Sequence, residues 1–398
     1  MYVCCNDKFN FILKEKLNKI SEQILNGFKN KIVHPILTII IPTFNEVNNI
    51  SKIVEKLESA LSTVKYKIIF VDDESNDGTI NKIRLLEAQK SNISLLLRIG
   101  RRGLSGACIE GMLISKTELI AVIDCDLQHD EKKLLEMVNK FQVQQNLDLV
   151  IGSRHTKHGK SEDGFNKFRK LGSDFAILLT KKLLRIQTTD PMSGFFMVKK
   201  NSLFQVIDKL QPNGFKILAD IVACSNRTQK KWEIAEVGYE FKRRISGQSK
   251  MSIIIILEFL SLILSHLTRG ILSIRFILFG MVGLSGVFVQ LFTTFLCLNL
   301  SIQPYVIAHS IGVFMAMTSN YYFNNLLTYK DRSLRGFSFF KGLLSFYLIC
   351  SAGALANIAI AKLFFDYTEI WVLSSLMGAI LGAVWNFIFS SIFTWKAR

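Results

Sequence analysis

The placement of apolar residues constrains this chain more than any other feature. Of its 398 residues 49% are hydrophobic, and the excess lies almost wholly after residue 250. There, four long apolar segments, 276–298, 305–327, 343–365 and 371–393, each approach the roughly 20 residues that a helix needs to span a bilayer. Upstream, short apolar runs alternate with amphipathic patterns, so we expect a water-facing domain joined to a membrane domain. Residues 1–34 are Lys-rich and lack the clean apolar core of a cleavable signal, which leaves the first domain in the cytoplasm. Cys4, Cys5, Cys108, Cys125, Cys224, Cys297 and Cys350 show no metal-type pairing and fit a reducing compartment.

In the first half, residues 37–41, 66–71, 93–97, 119–123 and 147–151 are short β-rich runs separated by helical stretches such as 48–62. That order is a βαβ series and predicts an α/β domain on a parallel sheet. The first run ends in Pro42-Thr43-Phe44-Asn45-Glu46, where Asn48 or Asn49 is placed to cap the following helix. The second ends in Asp72-Asp73-Glu74-Ser75-Asn76-Asp77-Gly78-Thr79, with more carboxylates than a turn or a cap requires.

The fourth run leads into Asp124-Cys125-Asp126-Leu127-Gln128-His129. Two carboxylates and an amide then stand at the carboxyl end of a buried strand, where open α/β sheets bind ligands. Carboxylates two residues apart can share one hard divalent cation that keeps positions open for a diphosphate. Acidic pairs also occur in solvated loops and at helix caps, and on their own these residues leave both readings open.

The three strand-end motifs together resemble family 2 glycosyltransferases of the GT-A (Rossmann-like) fold. Gly152-Ser153-Arg154, Asp190-Pro191-Met192-Ser193-Gly194-Phe195-Phe196 and the stretch from Arg244 to Gly247 with Ser249-Lys250 are similar to the dolichyl- or polyprenyl-phosphate mannosyltransferase branch, over residues 36–252. The resemblance implies that Pro42, Phe44, Glu46, Asp72 and Asp73 line a nucleotide-sugar pocket together with Asp124, Cys125, Arg244 and Lys250. It implies that Asp126 and Gln128 hold Mg2+ or Mn2+, and that Arg154, Arg169 and Ser173 bind the acceptor phosphate. Asp124, Asp126, Arg154 and Arg244 would carry the catalysis. Asp174-Phe175-Ala176 after Ser173 departs from the family's pattern and sets an acid beside that phosphate. The implied reaction moves mannose from GDP-mannose to dolichyl or polyprenyl phosphate with inversion. A UDP-sugar is the alternative donor, and a flippase or scaffold with an inactive soluble domain the alternative of another class.

The chemistry suits the composition. A phosphate monoester has a second pKa near 6, so it is a dianionic nucleophile at neutral pH and needs no catalytic base. What it needs is neutralised charge at the leaving diphosphate, and residues 154–185 hold nine Lys or Arg against three acids, residues 227–250 seven against three. The same stretches could face anionic lipid. The net charge of +17 sits around membrane segments, which favours the bilayer over nucleic acid as partner. Gly-bounded stretches 100–106 and 159–164 are expected as loops over the site.

Residues 251–274 mix apolar runs with Glu258, His266 and Arg269 and predict interfacial helices between a catalytic domain (35–250) and an all-α four-helix transmembrane domain (275–398). Lys330, Arg332, Arg335, Lys341 and the basic tail place both termini in the cytoplasm by the positive-inside rule. Asn320, Phe323, Thr328, Tyr329 and Lys330 align at identical spacing with Asn386, Phe389, Thr394, Trp395 and Lys396, so two helical hairpins form a parallel repeat. These four helices resemble the GtrA-like region of membrane glycosylation systems. Residues 8–31 have helical apolar spacing and either lie on the membrane or pack on the catalytic domain; an oligomer is compatible with all of this.

Overall fold

The computed structural model describes residues 35–156, 160–161, 180–182, 187–212, 216–242, 253–268, 270–300, 305–368 and 370–396. The N-terminal extension 1–34 lies outside them. So do Arg169, Ser173, Arg244 and Lys250 among the expected site residues.

The first half is built on β1 (Leu37–Thr43), β2 (Tyr66–Asp72), β3 (Ile93–Leu97), β4 (Leu119–Val122), β5 (Leu149–Ser153), β7 (Phe196–Lys199) and β8 (Ile234–Gly238), in spatial order 3-2-1-4-7-5-8. Side chains alternate across a strand, and both faces here are covered. Leu37, Ile39 and Ile41 enter one core with α1 (Ile50–Ala60) and α4 (Lys133–Val143). Ile40, Ile69, Val71, Ile120 and Val122 enter the other, under α3 (Leu104–Ile114) and α5 (Ile217–Ser225); α2 (Thr79–Gln89) joins β2 to β3. This is why the parallel strands read as unbroken apolar runs. Gly111 lets α3 sit close, since a Cβ there would lie 2.7 Å from Ile40 and 2.9 Å from Val71.

Two expectations are corrected here. The sheet is mixed: β7 lies antiparallel between β4 and β5, so those two strands never pair, and β5 instead runs parallel to β8. The Phe196–Lys199 segment supplies the buried strand that fills this gap. Asn49 occupies the N-cap of α1 but makes no side-chain cap bond: its backbone is near-helical (φ −101°, ψ −21°) rather than extended as a capping residue requires, and its Nδ2 donates to Glu46 Oε2 at 2.7 Å. Within the stretch expected as a glycine-bounded loop, β6 (Lys160–Ser161) pairs in parallel with β9 (Glu240–Phe241).

Helix α6 (Ile253–Leu267) docks on the catalytic domain, because Leu262 and Ile263 are buried and Phe259 packs against the second core. The polar residues that interrupted the pattern are paired: Glu258 with Lys330, and His266 Nε2 with Asp220 Oδ1 at 2.8 Å. Arg227 adds a bond to the His266 carbonyl at 2.5 Å.

The apolar half forms two hairpins, α7 (Ile274–Asn299) with α8 (Tyr305–Phe323) and α9 (Phe337–Thr368) with α10 (Trp371–Phe389). Among the described residues, Ile274–Asn299 and Phe337–Ala356 are long and apolar enough to cross a membrane. The sequence repeat has a structural counterpart. Each second helix ends in a π-helical turn, Asn324–Thr328 and Ser390–Thr394, at the offset that pairs Asn320 with Asn386. Trp395 Nε1 donates to Asn325 Oδ1 at 3.0 Å, and at the equivalent positions Tyr329 and Ser391 share a bond of 2.7 Å. The Tyr329 and Trp395 rings stack at 4.2 Å, 5° from parallel. Asn320 and Asn386 pack on Gly286 and Gly353, where a Cβ would collide with the amides, so these glycines set the helix approach in each hairpin.

Candidate active site

Three loops at the carboxyl ends of β1, β2 and β4 each contain a non-glycine residue in the left-handed region: Asn45 (φ 58°), Glu74 (φ 60°) and Leu127 (φ 61°), and no others do so among the described residues. Such backbone conformations persist where surrounding contacts impose them, and they concentrate at binding sites. The contacts are present. Asn45 N–H donates to Ser75 Oγ at 2.8 Å, Glu46 N–H to Thr79 Oγ1 at 2.9 Å, and Asn76 N–H to Asn45 Oδ1 at 3.1 Å, zipping the first loop to the second. Burial raises the pKa of Asp77, but bonds from Thr79 and the Val47 N–H outweigh it and hold the carboxyl below the usual range.

Asp72 and Asp73 lie beneath this zipper. Asp72 accepts from Thr43 Oγ1 at 3.0 Å and from Ser75 N and Oγ at 2.8 and 2.7 Å. Asp73 accepts from Gly103 N–H at 2.7 Å and from the Arg98 guanidinium. Burial raises the Asp73 pKa against the pull of Gly103 and Arg98. Asp72 holds the loop after β2 and Asp73 the turn at Gly103, while Phe44 carries Arg102 over its ring at 4.6 Å and Pro42 pairs within β1, one residue before its end. Residues 104–106, expected as loop, form the first turn of α3.

After β4, Asp124 is about one-third exposed, Asp126 is 8% exposed and Cys125 is buried. Gln128 N–H donates to Asp126 Oδ1 at 3.2 Å. The Gln128 amide group donates to the Lys242 carbonyl at 2.9 Å. Asp124, Asp126 and His129 bring possible ligand atoms within 4.8 Å of one another. Two carboxylates form an oxygen-rich set that suits Mg2+ or Mn2+. Burial drives the His129 imidazole down to about 4, so it is neutral at pH 7.

Across the site Arg154 forms a fork with Asp190, Nε to Oδ2 at 2.7 Å and an Nη to Oδ1 at 2.9 Å. Asp190 is fully buried; burial raises its pKa, and Arg154 more than reverses this. Gly194 leaves room for Asp124, since a Cβ there would sit 2.8 Å from Oδ2. Lys216 opens α5 in the field of Arg154, Asp124 and Asp190, and desolvation pushes its pKa down to about 8. Lys216, His129 and Arg98 also belong to the site, although no role is expected for them from sequence. His129 lies inside the acidic motif 124–129, whereas nothing in sequence marks Arg98 as a buried partner of Asp73.

The strand order, the acidic pair ending β4 and the cationic fork opposite it define a glycosyltransferase of the GT-A fold. Residues 38–206 match the family model described as glycosyl transferase family 2, and residues 278–395 match that of the GtrA/DPMS transmembrane domain. Dolichol-phosphate mannosyltransferase from Pyrococcus furiosus is 31% identical over 361 residues, covering 90% of this chain and 99% of the relative. The enzyme of the same name from Saccharomyces cerevisiae is 28% identical over 228 residues, 56% of this chain and 84% of that one. Among solved structures, glucosyl-3-phosphoglycerate synthase from Mycobacterium tuberculosis with Mn2+, UDP and phosphoglyceric acid overlays with a TM-score of 0.46 at 14% identity, over 58% of this chain and 78% of that one. The chain belongs to the dolichol-phosphate mannosyltransferase family.

Proposed function

We propose that this protein transfers mannose from GDP-mannose to dolichyl or polyprenyl phosphate, with inversion, at the cytoplasmic face of a membrane. The observation that carries the reading is the convergence of an acidic pair, Asp124 and Asp126, with the Arg154–Asp190 fork at one end of the sheet. An acidic pair suits a cation-bound diphosphate, and a guanidinium suits a phosphate acceptor. The acceptor phosphate oxygen attacks the anomeric carbon, and the bond from that carbon to the donor diphosphate breaks, with the electron pair leaving on GDP.

Each residue then has a task. Asp126 with Asp124, and Gln128 through its carboxamide oxygen, would hold Mg2+ or Mn2+, which when bound supplies positive charge for the leaving diphosphate. The zipped loops around Asp72 and Asp73 shape the nucleotide pocket lined by Pro42, Phe44 and Glu46. Arg154, fixed by Asp190, orients the acceptor phosphate, and Arg169 and Ser173 are proposed beside it, with Arg244 and Lys250 on the donor. In-line placement of a ready dianion provides the remaining acceleration.

All four apolar helices are proposed to span the bilayer. The Lys330–Glu258 and Arg275–Asp331 pairs support placing the basic connection between the hairpins on the catalytic domain's side of the membrane. Replacing Asp126 by Ala tests the site: transfer should disappear while the thermal transition stays in place. Unchanged turnover would remove the metal assignment.

A further inference from the structure

His129 lies almost wholly inside the protein, 3% exposed, one residue past the acidic motif's amide. Three rings cage it: Phe195 stacked at 5.3 Å and 21°, and Tyr239 and Phe241 edge-on at 5.6 and 5.7 Å. These come from the segment before β7 and from β8–β9, elements far apart in sequence, and Phe195 and Tyr239 also contact each other at 5.4 Å. Such a cage fixes the imidazole plane.

The orientation has a consequence for the proton. Asp124 donates its backbone N–H to Nδ1 at 3.4 Å, so Nδ1 is the acceptor nitrogen and the ring proton belongs on Nε2. Nε2 lies 3.9 Å from Asp124 Oδ2. One imidazole therefore holds the Asp124 backbone with one nitrogen and sets the other 3.9 Å from its carboxylate. The same oxygen, Oδ2, lies against the Gly194 backbone, which has no room for a side chain. The outer face of the cage carries Arg154, whose guanidinium lies 5.3 Å from the Phe241 ring centre.

We propose that His129 is a positioning residue for the transfer: caged by Phe195, Tyr239 and Phe241, it sets the rotamer of Asp124 and fixes its distance from Arg154. This rests on the transferase reading above and adds a residue that touches neither substrate. A ligand role for His129 is the competing possibility, because its nitrogens lie near both carboxylates. The cage argues for positioning, since Nδ1 already receives the Asp124 amide and the ring is packed on several sides.

Two variants test it in the purified full-length protein. His129→Phe keeps a ring for the cage and removes both nitrogens; His129→Asn restores an acceptor near the Nδ1 position. For His129→Phe we expect kcat to fall about 10- to 100-fold, the range typical of lost orienting partners. The KM for the nucleotide sugar and the Mn2+ concentration giving half-maximal rate should stay within about two-fold of wild type, and His129→Asn should recover part of the loss. Wild-type kcat in a folded His129→Phe protein would overturn the proposal, and so would a large rise in the Mn2+ requirement, which would make His129 a ligand. If His129→Phe does not fold, His129→Asn decides: kcat below wild type with KM and Mn2+ requirement kept supports positioning, and a raised Mn2+ requirement overturns it. A wild-type protein that transfers nothing would instead sink the transferase reading, and this proposal with it.

Discussion

Arg154 and Asp190 meet as a two-pronged fork in which the carboxylate is completely buried and both of its oxygens are engaged, at 2.7 and 2.9 Å. A fork fixes the plane of the guanidinium as well as its place, which lysine cannot do. Arg154→Lys should therefore keep the fold and raise the KM for the lipid phosphate at least ten-fold, with less effect on the nucleotide-sugar KM. Initial rates over a lipid-phosphate titration check this.

Removing the other partner should act on stability. Asp190→Ala leaves a guanidinium buried without its counter-charge, at a cost of about 3–5 kcal/mol. Because the folded pKa of Asp190 lies below its ordinary value, its contribution is complete above a pH of about 4 and is lost as pH falls through the folded value. Thermal unfolding followed from pH 7 downward should show a shallower acid-side loss in Asp190→Asn than in wild type.

Metal removal gives a separate test. Dialysis against a chelator should abolish transfer, and Mg2+ or Mn2+ should restore it without refolding. The donor set at Asp124 and Asp126 is rich in oxygen, so Mg2+ should serve as well as a softer ion. Rates after readdition of each metal decide it.

The membrane half should be held together at its repeat. Tyr329 and Trp395 stack and exchange equivalent bonds with Ser391 and Asn325. Tyr329→Ala and Trp395→Ala should each lower the thermal transition in detergent. The double variant should lose less than the two single losses together, with a coupling of about 0.5–1.5 kcal/mol from the ring pair. Full additivity would show that the rings do not support each other.

Much of this architecture is legible in sequence because parallel strands buried on both faces read as apolar runs, and because the Asn-to-Lys repeat keeps its spacing. What is not legible depends on partners far along the chain. Phe196–Lys199 reads as the end of a motif, yet becomes the antiparallel strand that separates β4 from β5. Glu258 and His266 look like interruptions suited to an interface, and only folding brings Lys330 and Asp220 to them. At the site, the excess of acids after β2 is visible. That Asp72 and Asp73 are engaged by Thr43, Ser75, Gly103 and Arg98 is not, since those donors come from the ends of three different strands.

Product chemistry separates mannosyl transfer from its alternatives. Detergent-purified protein is incubated with a short polyprenyl phosphate and Mn2+, with GDP-mannose or UDP-glucose in separate reactions, and the lipid is read by mass spectrometry. We expect a lipid heavier by one hexose with GDP-mannose and unchanged lipid with UDP-glucose. A hexose added from UDP-glucose would contradict the mannosyl reading, and unmodified lipid with both donors would contradict the transferase itself.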